Sequence, residues 1–253
     1  MAGAEGGVGR WLVAVLLATW MVEVVADSPR IAIVIDDLGY AQHNDRAVLD
    51  LDRRISVAII PDGPLAPTLS RMAAEQQREV LIHLPLSGNR HDNCDFGAVC
   101  PGEDWSPKQM ARHLRWAGSR VEGAIGINNH QGSRFTADYQ AVKNLVRGIM
   151  LLDGQHQVRL SVLDSRTTAQ SLLESKARRA GLGTARRHVF LDNERRPEAL
   201  ERAWRQLIEL ARRNGTAVAI GHPHRETIEF LARAVPELDS EDVELVPISR
   251  VFD

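Results

Sequence analysis

The chain has 253 residues, 44% of them hydrophobic, so it is long enough and apolar enough to build one large domain or two small ones. Its 31 lysine and arginine residues nearly balance its 33 aspartate and glutamate residues. Because such a balance gives no general attraction for a polyanion, we expect no nucleic-acid partner.

The first 26 residues differ from everything that follows them. Arg10 precedes an apolar core, 11–22, and small residues follow at 24–26. This core is short for a membrane span, which needs about 20 residues, and it fits a secretory signal peptide. An uncleaved N-terminal anchor is the alternative, and only in that case do we expect contact with a membrane. Either way, residues 27–253 are expected to be one domain that works in the periplasm or outside the cell.

Two cysteines, Cys94 and Cys100, lie six positions apart in the glycine-containing and proline-containing loop 89–104. In an oxidising compartment we expect them to close a disulfide within this loop. A zinc site is the alternative, and it is disfavoured because two thiols at this spacing lack a second pair of ligands.

Apolar strand-like runs alternate with amphipathic helical patterns from residue 28 onward. The run 31–35 is unbroken and mostly β-branched, which is typical of a strand buried on both faces of a parallel sheet. Repeated alternation predicts one α/β domain whose parallel sheet is closed as a barrel or left open. The predicted strands are 31–35, 55–60, 80–84, 124–128, 159–163, 188–191, 216–220 and 243–248. Helical patterns cover 106–120, 142–149, 172–177, 197–214 and a segment after residue 224. The first of them opens on a predicted capping box, Ser106-Pro107-Lys108-Gln109, with proline at the first helical position.

Polar residues stand at the end of nearly every predicted strand. Asp36 and Asp37 directly follow the first strand. Adjacent carboxylates raise one another's pKa, so such a pair indicates a bound cation or proton, whereas the alternative is an Asp-rich turn with one capping and one solvated acid. Because the carboxyl ends of parallel strands share one face, the polar residues are expected to converge. The other positions of this kind are Asp62, His83, Asn129, His130, Asp164, Asp192 and His222.

The histidines at these positions differ in their surroundings. His83 interrupts an otherwise apolar strand, where a lone histidine is usually a hydrogen-bonded core residue. His130 lies in a polar turn, and His222 and His224 form the sequence Gly-His-Pro-His after an apolar strand. Since the intervening proline separates the last two side chains, we expect only one of them to point into the site.

Five motifs together resemble the divergent polysaccharide deacetylase family, a distant relative of the metal-dependent deacetylases that remove N-acetyl groups from chitin and peptidoglycan. The resemblance covers about residues 30–250. It implies a single deformed (β/α) barrel of seven to eight parallel strands and a divalent metal, usually zinc. The motifs are Ile-Asp-Asp-Leu-Gly, Leu-Ile-His-Leu-Pro, Asn-Asn-His-Gln-Gly-Ser, Phe-Leu-Asp and Ala-Ile-Gly-His-Pro-His, in this order.

The resemblance assigns roles to the first three motifs. Asp36 resembles the catalytic base of the deacetylases, Asp37 the acid that holds their metal, and His83 their first metal histidine. Those enzymes place a second metal histidine four residues further on, where this chain has Ser87. His130, from the next strand, is the nearest replacement.

The remaining roles fall on the second half of the chain. Asp164 resembles the acid that orients the catalytic histidine, and His222 resembles that histidine. Asp192 is either an outer partner of the metal site or a cap at its strand end. The arginine–proline motif of the relatives is absent, and Arg134 is its candidate substitute.

Three residues are candidates for substrate binding: Asn129, Arg134 and His224. Asn129 either holds a sugar hydroxyl or closes the turn after its strand.

These residues supply what hydrolysis of an amide requires. Two imidazoles and a carboxylate, from His83, His130 and Asp37, favour zinc over magnesium. Asp36 would accept the proton of a water molecule, and His222 would give a proton to the leaving amine. We therefore expect a secreted, metal-dependent hydrolase that removes acyl groups, most simply N-acetyl groups, from an envelope carbohydrate.

The alternative is a non-catalytic envelope protein that uses the same barrel to bind a glycan or a protein partner. Loss of the second metal histidine at Ser87 favours this alternative. Retention of both aspartates and of the Asp164–His222 pair favours catalysis, because a binding module has no need for a base beside a metal ligand.

Overall fold

The structure is a computed structural model that describes residues 1, 3, 28–88, 99–156 and 160–253. The predicted signal peptide therefore lies outside the described residues apart from residues 1 and 3, and it stays a prediction. Cys100 is disulfide-bonded, whereas its predicted partner Cys94 lies outside the described residues. Within the described ranges, none of the helices combines the length and the apolar character that crossing a membrane requires.

Eight strands form one parallel sheet that curls into a deformed (β/α) barrel, as predicted. The strand order is β6-β5-β4-β3-β2-β1-β8-β7, and a short ninth strand pairs with β1. Within the described residues, β6 and β7 are the two ends of this order, so the barrel is open between them. The strands are β1 Arg30–Leu38, β2 Ser56–Ile59, β3 Val80–Leu86, β4 Gly126–Gln131, β5 Ser161–Asp164, β6 Thr184–Arg186, β7 Val189–Phe190, β8 Thr216–Gly221 and β9 Glu244–Leu245.

Helices follow most of the strands. The predicted capping box is present at the start of α3, where Ser106 Oγ accepts a hydrogen bond from Gln109 N–H and the Gln109 side chain accepts one from Ser106 N–H. The helices are α1 Gln42–Leu49, α2 Ala66–Glu75, α3 Pro107–Arg120, α4 Ser133–Ala137, α5 Tyr139–His156, α6 Leu173–Arg179, α7 Pro197–Asn214 and α8 Arg225–Ala234. Short 3-10 turns follow at Pro236–Glu241 and Ile248–Val251.

The alternation of side chains along β1 separates two apolar layers. Ile33 and Ile35 belong to the large core that includes residues of the helices. Ala32 and Val34 belong to a smaller core formed by residues of the opposite strand face. Asp36 continues this second series, so its carboxylate stands at the end of the barrel interior.

A buried arginine fixes the chain between α1 and β2. Arg78 is 4% exposed, and its guanidinium donates hydrogen bonds to the carbonyl oxygens of Leu49, Leu51, Asp52 and Ile55 at 2.7–3.0 Å. The planar five-donor group can satisfy several carbonyls at once, which a lysine ammonium cannot do in this geometry. Arg78 therefore stabilises the segment that leads into the second strand.

Replacing Arg78 with lysine is expected to lower the free energy of unfolding by about 2–4 kcal/mol, because buried carbonyl oxygens lose their donors. Urea unfolding of the purified protein measures this loss. The exposed Arg71 of α2 is the matched control, and Arg71→Lys is expected to change the free energy by less than about 0.5 kcal/mol. Equal effects of the two substitutions would contradict this account of Arg78.

Candidate functional site

A β-bulge turns two adjacent aspartates toward one site. The pairing of β1 with β2 shifts after Ile35, so that Asp36 and Asp37 together oppose the single residue Ala58. Asp37 has a φ of 62°, a left-handed conformation that aspartate adopts more readily than most residues. The Nε2 atom of His83 consequently lies 3.7 Å from Asp36 Oδ2 and 3.0 Å from Asp37 Oδ1. In a regular strand the two carboxylates would face opposite sides of the sheet.

The turn after the bulge is held by Asp45 of α1, a fully buried residue. Asp45 Oδ2 accepts hydrogen bonds from the N–H groups of Gly39 at 3.0 Å and Ala41 at 3.1 Å. Gly39 has a φ of 134°, and a Cβ added to Gly63 would lie 2.7 Å from the Gly39 carbonyl oxygen. Side-chain hydrogen bonds and a close backbone contact therefore fix the turn from two sides.

Asp37, His83 and His130 place three potential ligand atoms in a small triangle. Asp37 Oδ1 is 3.0 Å from His83 Nε2 and 2.9 Å from His130 Nδ1, and the two nitrogens are 3.2 Å apart. Ligands of a tetrahedral zinc ion, at bond lengths of about 2.1 Å, stand about 3.4 Å apart. The three side chains predicted to hold a metal are thus brought together, and small shifts would fit them to one.

Asn128 orients the first of these histidines. Its Oδ1 lies 2.9 Å from His83 Nδ1, and its Nδ2 donates hydrogen bonds to Asp36 Oδ1 at 2.8 Å and to Ser165 Oγ at 3.2 Å. With a proton on Nδ1 of His83, the Nε2 lone pair faces the triangle and is available to a metal. The sequence analysis missed Asn128, although it stands two residues before His130 in one strand and so shares its face.

The two aspartates differ in their pKa. Burial raises the pKa of Asp36, and this effect exceeds the opposing charges of His83 and His222. Burial would also raise the pKa of Asp37, but hydrogen bonds from His130 and His83 hold it well below its usual range. Asp37 is therefore the anion of the pair, whereas Asp36 is suited to accept a proton.

His222 is held by Asp192, which follows the neighbouring strand β7. Asp192 Oδ1 lies 2.8 Å from His222 Nδ1, and Oδ2 accepts hydrogen bonds from His222 N–H at 2.7 Å and Thr227 Oγ1 at 2.8 Å. Burial lowers the pKa of His222, but the hydrogen bond to Asp192 and the nearby carboxylates raise it to about 9. The other ring nitrogen, Nε2, lies 4.0 Å from Asp37 Oδ2.

The prediction that Asp164 orients His222 is wrong. Asp164 Oδ2 accepts hydrogen bonds from Ser171 Oγ at 2.6 Å and Glu174 N–H at 3.2 Å, and Oδ1 accepts one from Arg166 N–H at 2.8 Å. The order of the strands explains this result. Asp164 ends β5, which four strands separate from β8, whereas Asp192 follows β7, the direct neighbour of β8.

Asn129 closes a turn, the second of its two predicted roles. Its Oδ1 accepts a hydrogen bond from Ser165 N–H at 2.9 Å, and its Nδ2 donates one to the Gln131 carbonyl oxygen at 2.8 Å. Asn129 is 2% exposed. Because the protein itself uses both ends of this amide, the predicted substrate-binding role of Asn129 is not supported by its geometry.

Arg134, the candidate substitute for the relatives' arginine, is engaged with Glu103. Its Nε lies 2.7 Å from Glu103 Oε1 and its Nη2 donates to Glu103 Oε2 at 2.8 Å, in a half-exposed ion pair. Ser87 Oγ donates to the same Glu103 at 2.9 Å. The position of the missing metal histidine thus belongs to a polar network at the rim of the site.

Arg187 is close enough to Asp36 for their charges to interact. Burial lowers the pKa of Arg187, while the charges of Asp164 and Asp36 oppose this effect. Its guanidinium lies 3.7 Å above the centre of the Phe190 ring, and that ring stacks on His222 with centroids 5.9 Å apart. Arg187 and Phe190 therefore form one wall of the site, and the sequence analysis did not identify this arginine.

His224 lies beside His222, and the prediction that only one of the two points into the site stays a prediction. The two rings are 5.9 Å apart, and donor atoms of both lie within 4.8 Å of a carboxylate oxygen of Asp192. A tight turn at Pro223 causes this arrangement, since His224 N–H donates to the His222 carbonyl oxygen at 2.7 Å.

Replacing Asn128 with alanine is expected to weaken zinc binding about 10- to 100-fold, because His83 loses the group that orients its ring. Competition with a chelating dye measures the affinity. Asn129→Ala is the matched control, since this neighbour faces the opposite side of the strand, and its zinc affinity is expected to stay within about threefold of the wild type. An unchanged affinity in Asn128→Ala would contradict the orienting role.

Asp192→Asn is expected to lower the pKa of His222 from about 9 toward its ordinary value, whereas Asp164→Asn is expected to leave it unchanged. The pKa of His222 is raised in the folded, metal-free protein, so the His222–Asp192 pair contributes its full stabilisation below about pH 6.5. This contribution is lost as the pH rises through about 9. NMR titration of the imidazole signals measures the shift. The opposite outcome, a fall in Asp164→Asn alone, would restore the original assignment.

The chain is similar to known proteins over most of its length. A family model described as divergent polysaccharide deacetylase matches residues 33–252. An uncharacterised protein of Haemophilus influenzae is 35% identical over 223 residues, covering 88% of this chain and 76% of that protein. The uncharacterised protein YibQ of Escherichia coli is 34% identical over 224 residues, covering 88% of this chain and 67% of that protein.

Solved structures share the fold. The uncharacterised protein ATU2773 of Agrobacterium tumefaciens C58 superposes with a TM-score of 0.79 at 23% identity, covering 90% of each chain. A T48 deacetylase solved with substrate gives a TM-score of 0.52 at 12% identity, over 89% of this chain and 94% of that one. A mutant of BA3943, described as a CE4 family pseudoenzyme with restored enzymatic activity, gives 0.53 at 14% identity, over 90% of this chain and 68% of that one.

Proposed function

Since the chain belongs to the divergent polysaccharide deacetylase family, we propose that it is a metal-dependent hydrolase that removes N-acetyl groups from an envelope carbohydrate. One observation supports this proposal above the others. The metal-sized triangle of Asp37, His83 and His130 lies beside a buried carboxylate, Asp36, and a histidine held by an acid, His222. A metal ligand set, a base and an acid are the three parts that amide hydrolysis needs.

Asp37, His83 and His130 would hold the metal. Two imidazoles with one carboxylate suit zinc, and three protein ligands leave a position open for chemistry. The bound metal would polarise the acyl oxygen and lower the pKa of a water molecule. His130 here takes the part that a histidine at position 87 would have in the relatives.

Asp36 and His222 would move the protons. The carboxylate of Asp36, which accepts a hydrogen bond from Asn128 at 2.8 Å, would accept a proton from the attacking water molecule. At the same time the oxygen of that water would form a bond to the acyl carbon. His222, kept protonated by Asp192, would give its Nε2 proton to the nitrogen as the carbon–nitrogen bond breaks. The products are acetate and a free amine on the sugar.

The site of action is part of the same proposal. The apolar core 11–22 after Arg10 supports export, and an exported deacetylase would meet its substrate among the acetylated glycans of the cell envelope. A carbohydrate is the proposed partner of the site.

Acetate release from N-acetylglucosamine oligomers and from peptidoglycan tests this function in zinc-loaded protein. Asp36→Asn and His222→Gln are each expected to reduce the rate by about 10²- to 10⁴-fold while keeping the metal. His83→Ala is expected to lose both the metal and the activity. Asp164→Asn is the matched control for the acid of the histidine pair, and its rate is expected to exceed that of Asp192→Asn at least tenfold.

A second candidate function, binding of a glycan or a protein without catalysis, rests on Ser87. Its hydroxyl is engaged with Glu103, where the relatives would have a metal ligand. The structural neighbour BA3943 is described as a pseudoenzyme, which is a precedent for this fold without activity. A zinc-loaded wild-type protein that binds these glycans and releases no acetate would contradict the hydrolase proposal and support this alternative.

A further inference from the structure

A second group of potential metal ligands stands beside the first. Donor atoms of Asp192, His222 and His224 all lie within 4.8 Å of one another. The group shares no residue with the triangle of the first site, and His222 Nε2 lies 4.0 Å from Asp37 Oδ2. Two imidazoles and one carboxylate are again the donor set that zinc prefers.

The protein fixes two of these donors by other contacts. Asp192 is 5% exposed and is held by Thr227 Oγ1 and by the N–H of His222. The loop that carries both histidines is held by Asn44 of α1, whose Nδ2 donates to the Pro223 carbonyl oxygen at 2.8 Å. A site whose ligands are fixed before the metal binds loses less entropy on binding.

The ring of His224 is the least explained feature of the group. It is half-buried, and within the described part of the chain neither of its nitrogens forms a hydrogen bond, while its ring centroid lies 5.9 Å from that of His222. The mechanism proposed above uses His222 and Asp192 and leaves His224 without a task. Its position nevertheless completes a set of three donors.

We propose that Asp192, His222 and His224 form a second, weaker site for a divalent cation of the zinc class. It is weaker because Asp192 Oδ1 and His222 Nδ1 are only 2.8 Å apart and must separate to about 3.4 Å around a tetrahedral ion. The ion must also displace the proton that these two atoms share. The first site needs smaller adjustments, so it fills first.

The second site has a consequence for the reaction, and this consequence alone rests on the proposed function. An ion bound to Asp192 and to Nδ1 of His222 would replace the hydrogen bond by which Asp192 holds this ring, so the ring would no longer be oriented to give its Nε2 proton to the leaving amine. Excess zinc therefore inhibits the hydrolase, and His224→Ala makes it less sensitive to that inhibition.

Zinc titration of the metal-free, full-length protein, followed by native mass spectrometry and calorimetry, tests the site. The wild type is expected to bind one zinc ion tightly and a second one more weakly. His224→Ala and His224→Gln are expected to keep the tight ion and to weaken the second at least about tenfold, since losing a ligand costs no less than losing its outer partner. His83→Ala is expected to lose the tight ion and keep the weaker one.

His43, an exposed histidine of α1, provides the matched control for adventitious binding. His43→Ala is expected to keep both ions. A wild type that binds only one ion at saturation, or two His224 variants that bind the second ion as well as the wild type, would overturn the proposal. A loss of affinity for the second ion in His43→Ala as large as that in the His224 variants would also overturn the proposal. Two bound ions at saturation, together with no acetate release at one equivalent of zinc, where only the tight site is filled, would support this site and contradict the hydrolase, so the two proposals fail separately.

Discussion

The β-bulge at Asp36 and Asp37 is the constraint on which the rest of the site depends. A regular strand would send one of these carboxylates to the apolar layer beneath the helices, where an unpaired charge is very costly. The bulge turns both toward the barrel end, and Asp45 of α1 fixes the turn that follows it. Two carboxylates this close cannot both be anions without compensation, and the protein compensates them differently. Asp37 is paired with two histidines, whereas Asp36 is deeply buried and its pKa is raised.

Much of the fold could be predicted, because apolar runs and helical periodicity are local properties of the sequence. The predicted strand 31–35 lies within β1, which extends from Arg30 to Leu38, and the capping box at Ser106 marked the start of its helix. Two of the errors occur where polar residues lie in strands. Strand β4 begins two residues later than predicted and continues through Asn-Asn-His-Gln, a sequence that resembles a turn. The strand Thr184–Arg186 was not predicted, because three partly polar residues are too few to show a strand periodicity. Most of the predicted strand 243–248 is not a strand in the structure.

The part of the site that depends only on which residues stand at strand ends could be predicted from the sequence. Asp37, His83 and His130 converge because parallel strands share their carboxyl ends, and that argument needs only the elements. The choice of Asp192 over Asp164 as the partner of His222 needs the order of the strands in the sheet, which the local patterns do not contain. Two acids at equivalent strand ends are alike in sequence, and only the position of β7 next to β8 separates them.

We propose that the bulge gives the two adjacent aspartates different tasks, one on the metal and one beside it. Crystals of residues 27–253 grown with zinc, measured above and below the zinc absorption edge, test this division of tasks. We expect a strong anomalous peak bonded to Asp37, His83 and His130, with the carboxylate of Asp36 outside the coordination sphere. A peak that has Asp36 among its ligands, or no peak at these three side chains, would contradict it.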